Sequence, residues 1–442
     1  MTKLEYVVTT FPNREKQTEQ KVLSFVKEDE IENEVINIYP EVTYQRFNGF
    51  GGAVTETAGY MYSLMDAEQK KEMLETYYGK DTMKYRMVRM PLDSCDFSLE
   101  HFQASVEPDL SDFSFQRVGK YTFPLLRDIQ AMVGEDLELM LTPWSPPAYM
   151  KTNGDRNHGG KLKAEYRKTW AEYICHYIME LKKEGFTVTC MSIQNEPKAV
   201  QTWDSCIFTA QEEKVFLEEC LYPAMEEHAL TQIRIYIWDH NKERAYERAR
   251  DTIDEKTDKI IKGIALHWYS GDHFDALQMI REKYPDKELV LSEACIEYSK
   301  CSPEDFLKNA QKYAHDLIGN LNHGLTGFYD WNLAVDEVGG PNHVGNFCDA
   351  PYLFDTKSKV LMERNSLVYL WHFSHYITPG AVRVGTTCYT DKLETTAFHT
   401  EAGCVIVILN RTEEDLPVVL RLHGESVTFS VPGGAICSGR IL

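Results

Sequence analysis

Eight short apolar segments, separated by helix-like stretches, constrain the fold of this chain more than any other feature. Along the chain they read QRFNGFGG, YRMVRMP, LELMLTP, TVTCMSIQ, IRIYIWD, GIALHWY, ELVLSE and TGFYDWN. The stretches between them carry apolar residues at helical spacing, as in residues 164–185, which end at Gly185. Eight strands alternating with helices predict an α/β fold, a (β/α)8 barrel. A doubly wound open sheet is the alternative, but no GxGxxG follows the first strand.

Both ends of the chain are rich in strand-like segments. Residues 1–44 contain LEYVV and EVINIYP, and the region from about residue 380 onward contains GCVIVILN, LPVVLRL and VTFSVPGG. These segments alternate or run apolar and end in turn residues, as strands do. The simplest arrangement pairs the two ends in one small sandwich beside the barrel. Two separate caps are the alternative that this pattern leaves open.

Composition and charge exclude several classes of protein. The 442 residues are 43% apolar, which rules out intrinsic disorder. The net charge of 47 − 68 = −21 argues against nucleic acid or an anionic membrane as a partner. The amino terminus lacks an apolar signal region and no apolar run is long enough to span a bilayer, so we expect a cytoplasmic protein. The 11 cysteines include no CxxC pair, which is typical of reduced core residues.

The carboxyl ends of the predicted barrel strands carry the residues of greatest chemical interest. In such barrels the catalytic groups come from these ends. They hold carboxylates, amides, imidazoles and aromatic rings, which can move protons, bind hydroxyls or stack on sugars. In chain order the residues are Asp93, Asp96, Trp144, Asn195, Glu196, Asp239, His240, His267, Trp268, Tyr269, Ser292, Glu293, Asp330, Trp331 and Asn332.

Two glutamates in this set indicate a reaction. Glu196 and Glu293 follow strands four and seven, which lie across the barrel mouth from each other. Glycoside hydrolysis needs two carboxyls that flank the scissile bond. Taken singly, Glu293 could be a solvated loop residue and His267 a buried core residue. Their shared location at the carboxyl ends of the barrel strands favours an active site. The sequence shows no His and carboxylate cluster at metal-ligand spacing, no G-x-S-x-G elbow and no Walker loop.

The motifs around these residues resemble glycoside hydrolase family 30, the glucosylceramidase-like retaining β-glycosidases. The similarity runs from about residue 45 to 385 in the family's order. The resemblance implies the (β/α)8 barrel, over 45–378, with a β-sandwich side domain built from 1–44 plus 379–442. The matching segments are FNGFGGAVTETAG (47–59), RMPLDSCDFS (89–98), TPWSPPAYMKTNG (142–154), SIQNEP (192–197), GIALHWY (263–269), LSEACIE (291–297), DWNLAVDEVGGPNHVGNFCDAP (330–351) and HFSHYITPGAVRV (372–384).

The resemblance also implies roles for individual residues. Glu196 corresponds to the general acid/base and Glu293 to the nucleophile of a double displacement with retention. Asn195 corresponds to the residue that binds the sugar 2-hydroxyl. Asp96 and Trp144 correspond to positions that hold the outer hydroxyls of the glycone. His267 and Tyr269 correspond to partners of the carboxylate pair. Trp331 and Asn346 correspond to further glycone contacts.

The expected substrate is a small β-glycoside or oligosaccharide, most simply a β-glucoside cleaved by exo action. A β-xylosidase, a β-fucosidase or an endo-β-1,6-glucanase is the alternative within the family, and a non-catalytic carbohydrate-binding protein is the alternative outside it. The loop KAVQTWDSCIF (198–208) and the segment EYSK (297–300) differ from the animal lysosomal enzymes, which disfavours a ceramide aglycone. No metal or organic cofactor is expected. Desolvation and the neighbouring charge of Glu293 are expected to keep Glu196 protonated in the free enzyme.

Overall fold

The computed structural model describes residues 2–27 and 30–442. The chain begins with four strands that belong to the side domain and then enters a closed barrel of eight parallel strands. The first four are β1 (Lys3–Thr10), β2 (Gln17–Ser24), β3 (Val26–Lys27) and β4 (Val35–Arg46). The barrel strands are β5 (Gly49–Ala53), β6 (Met87–Leu92), β7 (Glu138–Pro143), β8 (Val188–Ser192), β9 (Arg234–Asn241), β10 (Ile261–His267), β11 (Glu288–Glu293) and β12 (Gly327–Asp330).

The barrel closes where β12 pairs in parallel with β5, so the predicted barrel is confirmed and the open sheet is excluded. The least accurate strand prediction is the first one. The segment QRFNGFGG joins the end of β4, which reaches Arg46 in the side domain, to the barrel strand that begins at Gly49. The glycines of β5 allow close packing, because a Cβ on Gly51 would lie 2.0 Å from the Met87 carbonyl oxygen.

Helices surround the barrel, as a (β/α)8 fold requires. Among the described residues, no helix combines the length and the apolarity that crossing a bilayer requires. A π-helical segment over Leu217–Leu221 joins α5 to α6. The helices are α1 (Glu56–Leu64), α2 (Ala67–Tyr78), α3 (Val118–Val133), α4 (Arg167–Lys183), α5 (Ala210–Phe216), α6 (Tyr222–Glu227), α7 (Ala245–Thr252), α8 (Phe274–Lys283), α9 (Phe306–Asn322) and α10 (Asn365–Ser374).

The barrel interior changes from apolar to polar along the strands. One buried layer contains Met87, Met140, Cys190, Tyr236, Ala265, Val290 and Tyr329. Because side chains on one face of a strand recur every second residue, the next layer toward the carboxyl ends on β6 and β10 is Arg89 and His267. Tyr269 follows two residues after the end of β10, at the barrel mouth. This alternation positions the polar groups of the site above an apolar floor.

The two chain ends share one sheet, which confirms the single side domain and excludes two separate caps. β1 pairs antiparallel with the last strand, and β4 pairs with strands that follow the barrel. The sheet folds over a common core, and the Tyr6 and Phe429 rings meet across it at 5.0 Å. The later strands are β13 (Ala334–Asp336), β14 (Tyr352–Asp355) and β15 (Val360–Glu363) in a small separate sheet, then β16 (Val382–Cys388), β17 (Leu393–Thr400), β18 (Gly403–Asn410), β19 (Leu416–Leu422), β20 (Glu425–Val431) and β21 (Ile436–Ile441).

A buried histidine connects the barrel to both ends of the chain. His372 lies on α10, with Nδ1 2.7 Å from Ser438 Oγ on β21 and Nε2 2.9 Å from Thr9 Oγ1 on β1. A neutral ring satisfies both hydroxyls, since one nitrogen donates and the other accepts. Burial, together with the charge of His375, lowers the pKa of His372 to about 3.

Acidification is therefore expected to weaken the junction between the two domains. Below about pH 6.5 the unfolded chain binds a proton at His372, whereas the folded chain binds it only near pH 3. The free energy of unfolding therefore falls as the pH falls. From pH 7 to pH 5 this linkage costs about 2 kcal/mol. Urea unfolding should show that His372→Gln loses about 2 kcal/mol less than the wild type over that interval. Equal losses would contradict the assignment.

Candidate active site

A cavity of about 160 Å³ opens at the carboxyl ends of the barrel strands. It is lined by eight of the nine residues singled out from the resemblance, which the sequence separates by up to 250 positions. The ninth, His267, is fully buried beneath the cavity. The eight lining residues are Asp96, Trp144, Asn195, Glu196, Tyr269, Glu293, Trp331 and Asn346.

Glu293 ends β11 with both carboxylate oxygens held. Oε2 accepts a hydrogen bond of 2.6 Å from Arg89 Nη1, and Oε1 accepts one of 2.9 Å from Tyr269 Oη. The bond from Arg89 is charge-assisted, which makes it stronger than a neutral hydrogen bond. The carboxylate is therefore fixed in one orientation, and only 7% of the residue is exposed.

Glu196 follows β8 on a strained backbone. Its φ is +45°, a conformation that side-chain-bearing residues rarely adopt and that occurs preferentially at functional sites. The backbone N–H of Glu196 donates to the Asp239 carbonyl at 2.9 Å, which helps to hold this conformation. The side chain accepts from Gln201 Nε2 at 3.4 Å through Oε2, and its Oε1 faces two histidines, with His240 Nδ1 at 3.6 Å.

His267 lies between the two carboxylates. Its Nδ1 is 3.3 Å from Glu196 Oε1, and its Nε2 is 3.0 Å from Asp239 Oδ1 and 3.8 Å from Glu293 Oε2. Burial favours the neutral ring, but the charge of Glu293 and the hydrogen bonds to Asp239 and Glu196 outweigh it and raise the pKa of His267 to about 9. The ring is therefore an imidazolium at neutral pH and donates from both nitrogens.

The expectation that Glu196 is protonated in the free enzyme is wrong. Burial raises its pKa, but the hydrogen bond from His267 and the charges of His240 and His267 have the larger combined effect and lower the pKa of Glu196 to about 2. The expectation rested on desolvation and the charge of Glu293, whereas in the structure the two imidazoles outweigh both. The pair of Glu196 and His267 thus carries one proton, which sits on the ring.

Among the carboxyl groups that line the cavity, Asp96 is one that burial favours in its neutral form. Burial and the charges of Glu293 and Glu196 raise the pKa of Asp96 to about 8, although Asn346 Nδ2 donates to its Oδ2 at 3.0 Å. On the same wall Trp144 and Trp331 stack, with their ring centroids 5.4 Å apart. These groups form a polar and aromatic surface of the kind that binds a sugar ring.

Arg89 is the most important residue that the sequence analysis missed. It is completely buried, and besides Glu293 its Nη2 donates to Asn195 Oδ1 at 2.8 Å and to Asp239 Oδ2 at 3.0 Å. Asn195 is thereby oriented with its carbonyl oxygen on Arg89, which leaves its amide nitrogen for a ligand. A charged residue at an inward position of the apolar strand YRMVRMP was the signal that could have identified it.

Two loops supply much of the remaining cavity wall. They are the segments 198–208 and 297–300, which the sequence distinguishes from the animal lysosomal enzymes, but strand periodicity could not place their individual residues at the mouth. Gln201 and Trp203 come from the loop after β8, and Glu297 and Lys300 from the loop after β11, where Lys300 Nζ pairs with Glu297 Oε2 at 2.7 Å. The other lining residues are His240, which was predicted from its strand-end position, and Asn241, both at the end of β9, together with Cys295 and Cys348.

Several predicted strand-end residues do not line the cavity. Trp268 packs against Tyr313 in the core and donates from Nε1 to the Cys295 carbonyl at 3.0 Å, because it faces outward from β10. The others make buried contacts: Asp93 with Tyr173, Asp330 with Tyr313, Asn332 with Thr55, and Ser292 with Asp239.

Among the residues that the structure describes, two groups of side chains have the chemistry to hold a metal ion, although no metal-ligand spacing was visible in the sequence. One is Glu196, His240 and His267, within the cavity region, and the other is His101, Asp204 and His343 at its rim. The imidazolium state of His267 suits a proton-carrying role better than metal ligation, which requires a free nitrogen lone pair.

Comparison with known proteins agrees with this geometry. The Glycosyl hydrolase family 30 TIM-barrel domain matches residues 47–377, and the Glycosyl hydrolase family 30 beta sandwich domain matches residues 380–438. The lysosomal acid glucosylceramidase of Mus musculus is 29% identical over 407 residues, covering 87% of this chain and 79% of its own length. An endo-1,6-beta-D-glucanase of Neurospora crassa is 22% identical over 410 residues, covering 88% and 83%.

Solved structures show the same two-domain architecture. The crystal structure of SrfJ from Salmonella typhimurium superposes with a TM-score of 0.95 at 34% identity and covers 100% of this chain and 99% of its own. The endo-beta1,6-glucanase BT3312 gives a TM-score of 0.87 at 25% identity, covering 99% and 98%. From these matches and the carboxylates at the barrel mouth, the chain belongs to glycosyl hydrolase family 30 and is a glycoside hydrolase.

Proposed function

We propose that this enzyme is an exo-acting β-glucosidase that cleaves small β-glucosides by double displacement with retention, with Glu293 as nucleophile and Glu196 as acid/base. The observation that carries the proposal is the position of His267, which reaches both carboxylates with one ring. The two carboxylates therefore face a common space at the floor of the cavity. Retaining glycosidases require two carboxyls close together, about 5 to 5.5 Å apart.

The first step is the attack of Glu293 on the anomeric carbon. The carbon–oxygen bond to the leaving group breaks, and Glu196 gives that oxygen a proton, which it takes over from His267 Nδ1 once the substrate has excluded water. In the second step Glu196 acts as base and removes a proton from water, which displaces Glu293 from the sugar. Arg89 and Tyr269 hold Glu293 in place throughout.

Cavity size and lining support a single glucose residue as the glycone. The volume of about 160 Å³ is below the range of roughly 300–1,000 Å³ that holds drug-sized ligands. Asp96 and Asn346 offer hydrogen-bonding groups to outer hydroxyls, and Trp144 offers an aromatic face. An endo-acting enzyme would need a cleft open to a polysaccharide. Relatives of both kinds, glucosylceramidases and endo-1,6-glucanases, share the family.

A substrate panel tests the proposal. We expect kcat/KM for 4-nitrophenyl β-glucoside to exceed the values for the β-xyloside and the β-fucoside, and we expect the enzyme to release glucose, without oligosaccharides, from short β-1,6-glucans. Preference for the xyloside or the fucoside would assign the glycone differently. Early appearance of oligosaccharides from a β-1,6-glucan would show endo action. Hydrolysis of glucosylceramide faster than of the aryl glucoside would point to the lipid substrate.

The proton shared by Glu196 and His267 predicts the alkaline limit of activity. Because the pKa of His267 is raised to about 9, the pair keeps its proton at lower pH and loses it as the pH rises through that value. We expect kcat/KM to fall on the alkaline side with a midpoint near 9, and we expect this midpoint to move to lower pH in His267→Gln. A wild-type midpoint below 7, or no movement in the variant, would contradict the shared proton.

A further inference from the structure

Three loops of the barrel mouth bring together a second cluster of chemically reactive side chains. His101 lies in the loop after β6, Asp204 in the loop after β8 and His343 in the loop between β13 and β14. Each residue offers one ligand atom, and these atoms lie within 4.8 Å of one another. His101 Nδ1 and Asp204 Oδ2 are 3.2 Å apart, close to the separation of ~3.3 Å between two ligands of a tetrahedral ion with bonds of about 2.0 Å.

His343 has a buried nitrogen without a hydrogen-bond partner in the part of the chain that the structure describes. Its Nδ1 is 2.8 Å from the Ser98 carbonyl oxygen and must donate to it, because a carbonyl only accepts. The lone pair is therefore on Nε2, and this atom is the one that is buried and unpartnered. A hydrogen bond that fixes the tautomer in this way is typical of histidines that ligate metals.

A second unpartnered atom lies behind His101. Asn157 Nδ2 is 3.3 Å from His101 Nε2, while Asn157 Oδ1 is buried with no hydrogen-bond partner among the described residues. A half-turn of this amide would let Oδ1 accept a proton from Nε2. His101 Nδ1 would then present its lone pair beside Asp204 Oδ2, and a cation between the two atoms would bind both. A bound cation thus accounts for both unpartnered atoms.

The residues around the cluster leave Asp204 able to bind a cation. Asp204 is 1% exposed, and its Oδ1 accepts from Arg156 Nε at 2.6 Å. Arg156 also lies 3.7 Å from Asp93 Oδ2, so its guanidinium is shared between two carboxylates. Ser94 Oγ donates to Asp204 Oδ2 at 3.1 Å and orients the carboxylate. Asp204 is therefore held in place by buried hydrogen-bonding partners.

We propose that His101, Asp204 and His343 bind a zinc-class divalent cation, with water as the fourth ligand. Two imidazoles and one carboxylate are the ligands that Zn²⁺ takes in tetrahedral sites with an open position. The cation would join three loops at the rim of the cavity. Two of these loops carry cavity residues next to the ligands, since Trp203 precedes Asp204 and Asn346 follows His343 by three positions. Its role is structural and is independent of the glycosidase proposal.

Zinc titration of the full-length, chelator-treated protein tests the site. Isothermal titration calorimetry should show one Zn²⁺ bound per chain at the rim, with at least tenfold weaker binding in His101→Gln and in His343→Gln. Zinc at 100 times its Kd should raise the Tm of the wild type by a few degrees and leave both variants unchanged. Bound Co²⁺ should give the intense visible absorption of a tetrahedral site in the wild type only.

His240→Gln is the matched control, because it removes a histidine from the other candidate cluster and should keep full affinity. Absence of binding at millimolar Zn²⁺, wild-type affinity in both rim variants, or loss of binding in His240→Gln alone would overturn the proposal. Because His101 is partly exposed, His101→Gln is expected to leave the Tm of the metal-free protein unchanged. This variant therefore tests the site even if His343→Gln does not fold.

Discussion

Replacement of Glu293 with glutamine is expected to lower kcat for an aryl β-glucoside by about 10⁴-fold or more, since loss of a nucleophile removes most of the rate enhancement. Glutamine has nearly the same shape and can still accept a hydrogen bond from Tyr269 or Arg89, so the fold should survive. Its neutral amide cannot attack the anomeric carbon and form the glycosyl ester. Steady-state kinetics of the purified variant, with the Tm as a measure of folding, make the comparison.

Azide separates the two glutamates by role. In Glu293→Ala, azide should enter the space of the nucleophile and form an α-glucosyl azide, whereas in Glu196→Ala it should replace water in the second step and form the β-glucosyl azide. The exposed Glu304, whose side chain is 73% accessible, gives the control Glu304→Gln, which should keep wild-type kinetics. Near-normal turnover by Glu293→Gln, or the same azide anomer from both variants, would contradict the assignment.

Replacement of Arg89 with methionine is expected to lower both stability and activity. Methionine fills similar space but leaves Asp239 and Glu293 without their guanidinium, and Asp239 is fully buried. Removal of one partner from a buried ion pair costs about 3–5 kcal/mol, because the remaining charge is left uncompensated in the interior. Activity should fall as well, since Glu293 and Asn195 lose the group that orients them. Urea unfolding and kinetics of the same preparation measure both effects.

Arg14→Met is the matched control. Arg14 is 3.6 Å from Glu304, and both side chains are more than two-thirds exposed, so this pair contributes at most about 1 kcal/mol. A double variant, Arg89→Met with Asp239→Asn, should recover part of the stability lost in the single variant but not the activity. If Arg89→Met had the same free energy of unfolding as Arg14→Met, the buried ion pairs of Arg89 would contribute no more to stability than an exposed pair.

The barrel could be predicted because its pattern is local and repeats eight times. Each strand shows as a short apolar run, and a parallel sheet needs both faces apolar, so β7 or β11 is visible without any knowledge of its neighbours. The first strand was less accurate because only Phe47 and Asn48 separate the end of β4 from the start of β5, a break too short to recognise in the sequence. The pairing of the chain ends was left open by the residues, since the partners β1 and β21 lie at opposite termini.

The candidate site was predictable where it depends on strand ends and not where it depends on tertiary contact. Periodicity and motif placed Glu196 and Glu293 at the mouth, and the resemblance gave His267 as a partner of this pair. Neither could show that His267 contacts both carboxylates and holds the proton. Arg89 was missed because a single cation in an apolar strand has no visible partner in the sequence. The rim cluster joins residues more than 240 positions apart, and no spacing rule brings His101 to His343.

The position of the glycosyl-enzyme bond tests the central claim most directly. The enzyme would be incubated with 2-deoxy-2-fluoro-β-glucosyl fluoride, which forms the covalent intermediate quickly and hydrolyses slowly, and then digested and sequenced by mass spectrometry. The account predicts one fluoroglucosyl group per chain, attached to the side chain of Glu293 in the segment LSEACIE. A label on any other residue, or full inactivation without a covalent label, would contradict it.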